Sequence, residues 1–424
     1  MTTRQKPITF DFSRLRAKPP VAASAAWEPG DPIGNRQFFT LPSGLELEGG
    51  ALLPEVTIAF ETFGNLNASQ DNAILILHAL TGDSHISGSA GPGQLTKGWW
   101  DDIVGSGKTI DTDRYFIIVP NVLGGCQGTT GPASLTPSGQ RWGGHFPRLT
   151  IRDQVSAEIA LIKQLGLNEF YAVIGGSLGG LRALEWAIMG PENGIEIRKL
   201  AAIATTAATS ADQIAWAHPQ LAAIRLDPGF NNGFYYDLPD DEGPHRGLAI
   251  ARQIAHTTYR SAAELDERFQ RFPQSGEDTF VDGRYAIQSY LDHHGDKLAR
   301  RFDANSYLVL TEAMFTHDLG RDRGGTNAAL ENITAQTLVV AVDSDRLFPQ
   351  HQSERIAAHI PNAKLAIINS LHGHDGFLIE HDQLHPLIAQ LLASDLEIAA
   401  PGWATRHRET AQCKVEDFTL PEYC

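Results

Sequence analysis

The sequence predicts an α/β protein with a mostly parallel central sheet, helices on both faces and an inserted helical lid. Three observations carry that expectation. Six short, unbroken apolar runs recur along the chain, helical patterns separate most of them, and the interval 208–326 breaks the rhythm with helix-like segments alone. Unbroken apolar runs suit strands buried on both faces of a parallel sheet, because a strand with one wet face would alternate. A chain of 424 residues, 42% hydrophobic and 20% charged, has ample material for a large core.

The elements follow in chain order. Residues 1–40 are rich in Pro, Ala and Arg, lack sustained periodicity and read as a loosely held arm without chemistry. The runs Ala73 to Leu77, Tyr115 to Val119, Tyr171 to Ile174, Leu200 to Ile203, Leu338 to Val342 and Leu365 to Ile368 are the expected strands. A catalytic body is therefore expected over 41–207 and 327–395, a helical lid over 208–326 and an appended tail over 396–424. Inserted between the strands near Ile203 and Val340, the lid would sit over the carboxyl ends of the sheet, where ligands bind in open α/β folds.

The stretch from Tyr171 to Trp186 is the most informative. Four apolar residues run into Gly175-Gly176-Ser177-Leu178-Gly179-Gly180, and Leu181, Leu184 and Ile188 then recur at helical spacing until Gly190-Pro191, where the helix should stop. A strand, a sharp serine turn and a helix in the pattern G-x-S-x-G make a nucleophile elbow. Small flanking residues let strand and helix approach closely, and the amide of Leu178 points at any oxyanion formed on Ser177.

An alkoxide nucleophile needs a base, and the base needs an acid to orient it. Directly after the strand ending at Val342 come Asp343 and Asp345, of which Asp345 is the preferred acid. After the next strand come His372 and His374, and His374 is the preferred base. The second oxyanion donor is expected in the loop His78 to His85, at the amide of Leu80. His78, Asp83 and His85 form no H-E-x-x-H pattern and read as polar residues framing a site entrance, so no metal is expected.

Composition narrows the function classes. A formal charge of -16, from 34 basic and 50 acidic residues, argues against a nucleic-acid surface and gives no general attraction to anionic membranes. The stretch Met1 to Pro7 lacks the apolar core of a signal peptide and no segment reaches membrane-spanning length, so the cytoplasm is the expected location. Cys126, Cys413 and Cys424 lie far apart, which indicates neither a disulfide framework nor a zinc site.

The residues closely resemble the homoserine O-acyltransferase family of the α/β-hydrolase superfamily, and within it the homoserine O-acetyltransferases of methionine biosynthesis. The resemblance covers about residues 37–393. Its landmarks are His78 to Asp83, Gly98-Trp99-Trp100-Asp101, Asp111 to Phe116, Asn121 to Pro132, the Ser177 elbow, Ser344 to Pro349 and Gly373 to Phe377. Leu178 stands where many relatives carry methionine, a neutral exchange if the backbone amide is the working group.

That resemblance implies an α/β-hydrolase fold and a triad of Ser177, Asp345 and His374. It implies acetyl transfer from acetyl-CoA to the hydroxyl of L-homoserine through an acyl-serine, with acetyl-CoA as co-substrate and no other cofactor. It also makes Arg252 a contact for the acceptor's carboxylate, Asp375 a partner for its ammonium group and Tyr259 a pocket wall; without it, Arg252 would read as a solvated helix charge. Opposite charges at the two ends of a zwitterion select an amino acid over a simple alcohol. A homodimer joined through the helical lid is implied as well. Homoserine O-succinyltransferases, serine O-acetyltransferases and esterases or thioesterases share the triad and stay open on sequence alone, as does a binding protein that has lost its chemistry.

Overall fold

The computed structural model describes residues 19–393. Eight strands form the main sheet: β1 (Gln37–Leu41), β2 (Val56–Phe63), β3 (Ala73–Leu77), β4 (Phe116–Pro120), β5 (Ala172–Gly176), β6 (Lys199–Ile203), β7 (Gln336–Val342) and β8 (Ala363–Ile368). Their spatial order is β1-β2-β4-β3-β5-β6-β7-β8. Only the pairings of β2 with β1 and with β4 are antiparallel; from β4 to β8 every pairing is parallel.

The helices are α1 (Ile151–Gln164), α2 (Leu178–Glu192), α3 (Ala211–Arg225), α4 (His245–Tyr259), α5 (Ala262–Phe269), α6 (Ala286–Ala299), α7 (Ala304–Phe315), α8 (Thr326–Glu331), α9 (Gln350–His359), α10 (Gly376–Ile379) and α11 (His381–Ala393). The pleat of the strands divides them between two layers. Ala73, Leu75 and Leu77 of β3 join one apolar cluster with Val155 and Ile162 of α1, Leu181 and Leu184 of α2 and Ile356 of α9. Ile74 and Ile76, pointing the other way, join Leu384, Ile388 and Leu391 of α11. Each such fully buried side chain contributes on the order of 1.5–3 kcal/mol, which is why the parallel strands read as unbroken apolar runs.

Helices α3 to α7 fall between β6 and β7, and among the described residues 208–326 add no strand to the main sheet. Helices α3, α4, α6 and α7 share a third apolar cluster, including Leu221, Ile224, Leu248, Leu298, Tyr307 and Leu310, which Val122 and Cys126 join from the loop after β4. No helix among the described residues is long and apolar enough to cross a membrane.

Two expectations need correction. The sheet starts inside the stretch read as an arm, because β1 spans Gln37–Leu41, and the residues before it are tied down. Val21 donates to Asp241 Oδ1 at 2.9 Å and accepts from the Asp241 amide at 2.7 Å, Ser24 donates to Asp303 at 2.8 Å, and Arg36 donates to the Gly93 carbonyl and to Gln127 at 2.7 Å each. Bonds to distant segments, which no local pattern records, thus hold the stretch expected to be loose. Residues 1–18 and the expected tail lie outside the described residues. In addition, α2 runs past Gly190-Pro191 to Glu192, since a proline in the last turn removes one bond at the helix end rather than in its middle.

Candidate active site

Ser177 sits between β5 and α2 with φ 56° and ψ -124°, a left-handed backbone that costs a non-glycine residue about 1–3 kcal/mol. Its surroundings hold it there: the Ser177 amide donates to Ile203 at 3.0 Å, and Thr205 Oγ1 donates to the Ser177 carbonyl at 3.0 Å. The glycines beside it are required by close approach. A Cβ on Gly175 would lie 2.1 Å from the Gly179 carbonyl oxygen, and one on Gly179 would lie 1.9 Å from that of Leu77. Strand, helix and the end of β3 therefore meet backbone to backbone.

His374 Nε2 lies 2.9 Å from Ser177 Oγ, and His374 Nδ1 lies 2.7 Å from Asp345 Oδ2. The other Asp345 oxygen accepts from the amides of Leu347 and Phe348 at 2.8 and 2.9 Å. Because a carboxylate only accepts, the Nδ1 of neutral His374 carries the proton, and Nε2 is left to take one from the serine. All three residues are buried, at 5%, 3% and 6% exposed for Ser177, His374 and Asp345. Phe348, Phe377 and Tyr259 surround the imidazole, with ring centroids 5.2, 5.4 and 5.9 Å away. Burial pulls the His374 pKa down, but the charge and hydrogen bond of Asp345, aided by Asp375, outweigh it, so the ring titrates above its usual value near 6.5. The competing residues go elsewhere: Asp343 accepts from the Ser370 amide, and His372 faces Arg260 and Glu264.

Leu178 is the first residue of α2, where helix geometry leaves an amide without an intrahelical partner. The Ala79-Leu80 peptide is oriented through its carbonyl, which accepts from His78 Nδ1 at 2.8 Å and from the Gly82 amide at 2.9 Å. A trans peptide points its C=O and N–H to opposite sides, so pinning the carbonyl also aims the Leu80 amide. His78 donates from Nδ1 because its Nε2 accepts from the Val122 amide at 3.1 Å. Burial, helped by the charge of Arg182, lowers its pKa to about 3 and keeps it neutral.

Arg182 of α2 is itself fully buried; it pairs with Glu158 and donates to the His78 carbonyl at 2.8 Å. Arg301, from the lid, donates to the Thr81 carbonyl at 2.8 Å. The two amides are thus held by one framework. Sequence reasoning missed this arrangement, having read His78 and His85 as residues at an entrance. They are 2% and 3% exposed, and His85 faces the buried carboxylate of Glu61 at 3.4 Å. Among the described residues no group of three His, Cys, Asp or Glu side chains is placed to hold a metal ion.

The remaining expected residues gather beside the base. The guanidinium of Arg252 lies over the Tyr259 ring, 5.0 Å from its centroid, and Tyr259 in turn faces His374. Asp375 adjoins His374 and lies 3.2 Å from Arg260, a residue that no sequence signal singled out. A mostly apolar cavity enclosing about 490 Å³, its open mouth included, runs between α3, α7 and the acid loop, and Leu80, Trp216, Met314, Tyr259, Leu347 and Phe348 are among its walls.

Comparison with known proteins agrees with this geometry. The family model described as the alpha/beta hydrolase fold matches residues 72–378, a span that contains Ser177, Asp345 and His374. A homoserine O-acetyltransferase of Thermobifida fusca is 56% identical over 376 residues, covering 88% of this chain and 98% of its own. Among solved structures, a homoserine O-acetyltransferase from Bacillus anthracis aligns with a TM-score of 0.76 at 25% identity, over 85% of this chain and 97% of its own. Esterase E22 aligns with a TM-score of 0.75 at 28% identity, over 84% of this chain and 99% of its own. Identity of this extent over nearly the full length of a relative, on a matching fold, leaves one conclusion: the chain belongs to the homoserine O-acetyltransferase family of α/β hydrolases.

Proposed function

We propose that this protein transfers the acetyl group of acetyl-CoA to the hydroxyl of L-homoserine through an acetyl-serine at Ser177, giving O-acetyl-L-homoserine and CoA for methionine biosynthesis. The observation that carries the reading is the 56% identity to a homoserine O-acetyltransferase over 98% of that relative's length, and the unbroken hydrogen-bond chain from Asp345 through His374 to Ser177 supplies its nucleophile.

In the first half-reaction His374 Nε2 takes the Ser177 proton and Oγ attacks the thioester carbonyl. The oxyanion is met by the amides of Leu80 and Leu178, and collapse expels CoA as its thiolate, which His374 protonates. In the second half-reaction His374 takes the proton of the homoserine hydroxyl, whose oxygen attacks the acetyl ester, and Ser177 leaves with that proton. Asp345 holds the imidazole in its working tautomer throughout. The protein's own nucleophile and proton carrier are both side chains, so acetyl-CoA enters as co-substrate and no cofactor is invoked. Arg252 takes the acceptor's carboxylate, Asp375 its ammonium group, and Tyr259 walls the space between them. The cavity under the lid supports transfer over hydrolysis, because an acceptor held beside the acyl-enzyme acts at high effective concentration while water is limited.

Exposed Phe272, Phe280 and Val281, between α5 and α6, support a homodimer joined through the lid. The buried free thiol of Cys126 and a CoA donor fit a cytoplasmic setting.

Two outcomes follow. The base must be neutral to act, so the acylation rate with p-nitrophenyl acetate should fall in acid through the His374 pKa, with an inflection above 6.5. Replacing Asp375 by Asn should move that inflection down, since a charge favouring imidazolium is gone. An inflection that stays put in that variant would contradict the assignment. Second, His78→Gln, which leaves no donor at the Nδ1 position, should slow acylation about 100-fold, as loss of an oxyanion donor does. His78→Asn, which keeps a donor near the Ala79 carbonyl, should lose less; equal losses would point to packing alone.

The reading itself is tested by free-thiol release from acetyl-CoA or succinyl-CoA with homoserine, serine or no acceptor. Fast release with acetyl-CoA and homoserine supports it. Acceptor-independent release would indicate an esterase-like use of water, and preference for serine or for succinyl-CoA would overturn the acceptor or the donor.

A further inference from the structure

Arg260 stands where the lid meets the base loop, and nothing in the proposed chemistry has yet used it. It follows α4 directly. Its Nε lies 3.2 Å from Asp375 Oδ2, while Nη1 lies 3.3 Å from both Glu264 Oε1 and His372 Nδ1. The contact with Asp375 is one of charge without an aligned hydrogen bond, because the buried Nε has no hydrogen-bond partner. The guanidinium therefore fixes the carboxylate without occupying its lone pairs in the usual way.

Two further contacts keep this arrangement in register. Ser261 Oγ donates to the Leu371 carbonyl, tying the residue after Arg260 to the base loop. At Gly373, with φ +64°, a Cβ would lie 2.7 Å from the Ser261 nitrogen and 2.8 Å from the Tyr259 carbonyl oxygen, so the end of α4 rests directly on that loop. Charge completes the picture. Glu264 Oε1 lies 3.3 Å from Arg260 and 3.5 Å from Arg268, so Glu264 has a second cation of its own and Arg260 remains the guanidinium in contact with Asp375.

We infer that Arg260 is a positioning residue for the acceptor: it holds the Asp375 carboxylate beside His374 by charge while leaving it open to the ammonium group of an amino-acid alcohol. The inference rests on the reading that Asp375 receives that group. It separates the two half-reactions, because acetylation of Ser177 involves no ammonium and its base is held by Asp345 instead.

The test uses Arg260→Gln and Arg260→Lys in the full chain, with acetyl-CoA as donor. Acceptors are homoserine and 4-hydroxybutyrate, which has the same hydroxyl and carboxylate without the amine. In Arg260→Gln, kcat/KM for homoserine should fall about 10- to 100-fold, the scale expected for a misplaced positioning group. Read at a pH well above the His374 inflection, transfer to 4-hydroxybutyrate and the rate of Ser177 acetylation without acceptor should be unchanged, and Arg260→Lys should recover part of the loss. Equal losses with both acceptors, or slower acetylation, would make Arg260 a prop for the base loop and overturn the inference, as would an unchanged preference. If the unaltered protein does not favour homoserine over 4-hydroxybutyrate, the ammonium reading of Asp375 fails first and the inference falls with it.

Discussion

Ser177→Ala should abolish acetyl transfer, with kcat lowered about a millionfold, the scale seen when the nucleophile of a serine triad is removed. The change deletes one oxygen and leaves the scaffold. Ser177 is held by its own amide, bonded to Ile203, and by its carbonyl, bonded to Thr205, and neither bond involves Oγ. The elbow should therefore persist with its φ of 56° and its strain, and thermal unfolding should change little. The oxyanion amides and the acceptor pair also remain, so homoserine binding should survive the loss of turnover. Thiol release from acetyl-CoA and calorimetric titration with homoserine check the two halves. Retained transfer would show that the chemistry does not pass through Ser177.

Asp345→Asn should lower kcat about 10⁴-fold, as the equivalent change does in a serine protease triad. The local bonding explains why the loss is so large for an almost isosteric exchange. One Asp345 oxygen accepts from the amides of Leu347 and Phe348, and the other faces His374 Nδ1. An asparagine must keep its oxygen on those two amides, since turning its NH₂ toward them would set donor against donor. The NH₂ then faces Nδ1, forcing the imidazole proton onto Nε2, where it can no longer accept from Ser177. Loop geometry is preserved while the tautomer is reversed. Asp343→Asn is the matched control: its oxygen keeps the Ser370 amide, and turnover should stay within a few-fold of normal. A small loss at Asp345 and a large one at Asp343 would exchange their roles.

Much of this architecture is written in local sequence, and the reasons differ from element to element. The run Ala73 to Leu77 matches β3 end to end because a strand covered on both faces has no polar position to interrupt it. β2 escaped the same search because it carries Thr57, Glu61 and Thr62; Glu61 is fully buried yet satisfied by Ser84 and Gln94, a pairing that only the fold creates. β1 is short, antiparallel and half-exposed, so its apolar residues form no unbroken run. The candidate site divides in the same way. Ser177, Asp345 and His374 each follow a legible strand, and chain order alone suggests their association. Arg252 and Asp375 entered through resemblance, because a charge on a helix and a charge on a loop look the same whether they face water or a ligand. Arg260, His78 and Arg182 were out of reach: each acts through a partner 24 to 115 residues away, Glu158 and Asp375 among them, and no periodicity records such a pairing.

The central claim is that Ser177 carries the acetyl group between two substrates, and one single-turnover measurement tests it most directly. The protein is mixed with excess acetyl-CoA without acceptor, freed of CoA, digested to locate the acetyl group, and a parallel sample is chased with L-homoserine. Acetylation is expected on Ser177, followed by its transfer, faster than its loss to water, into O-acetyl-L-homoserine. CoA release that requires homoserine with no acetyl-serine formed, or an acetyl-serine lost to water at the same rate with and without homoserine, would contradict it.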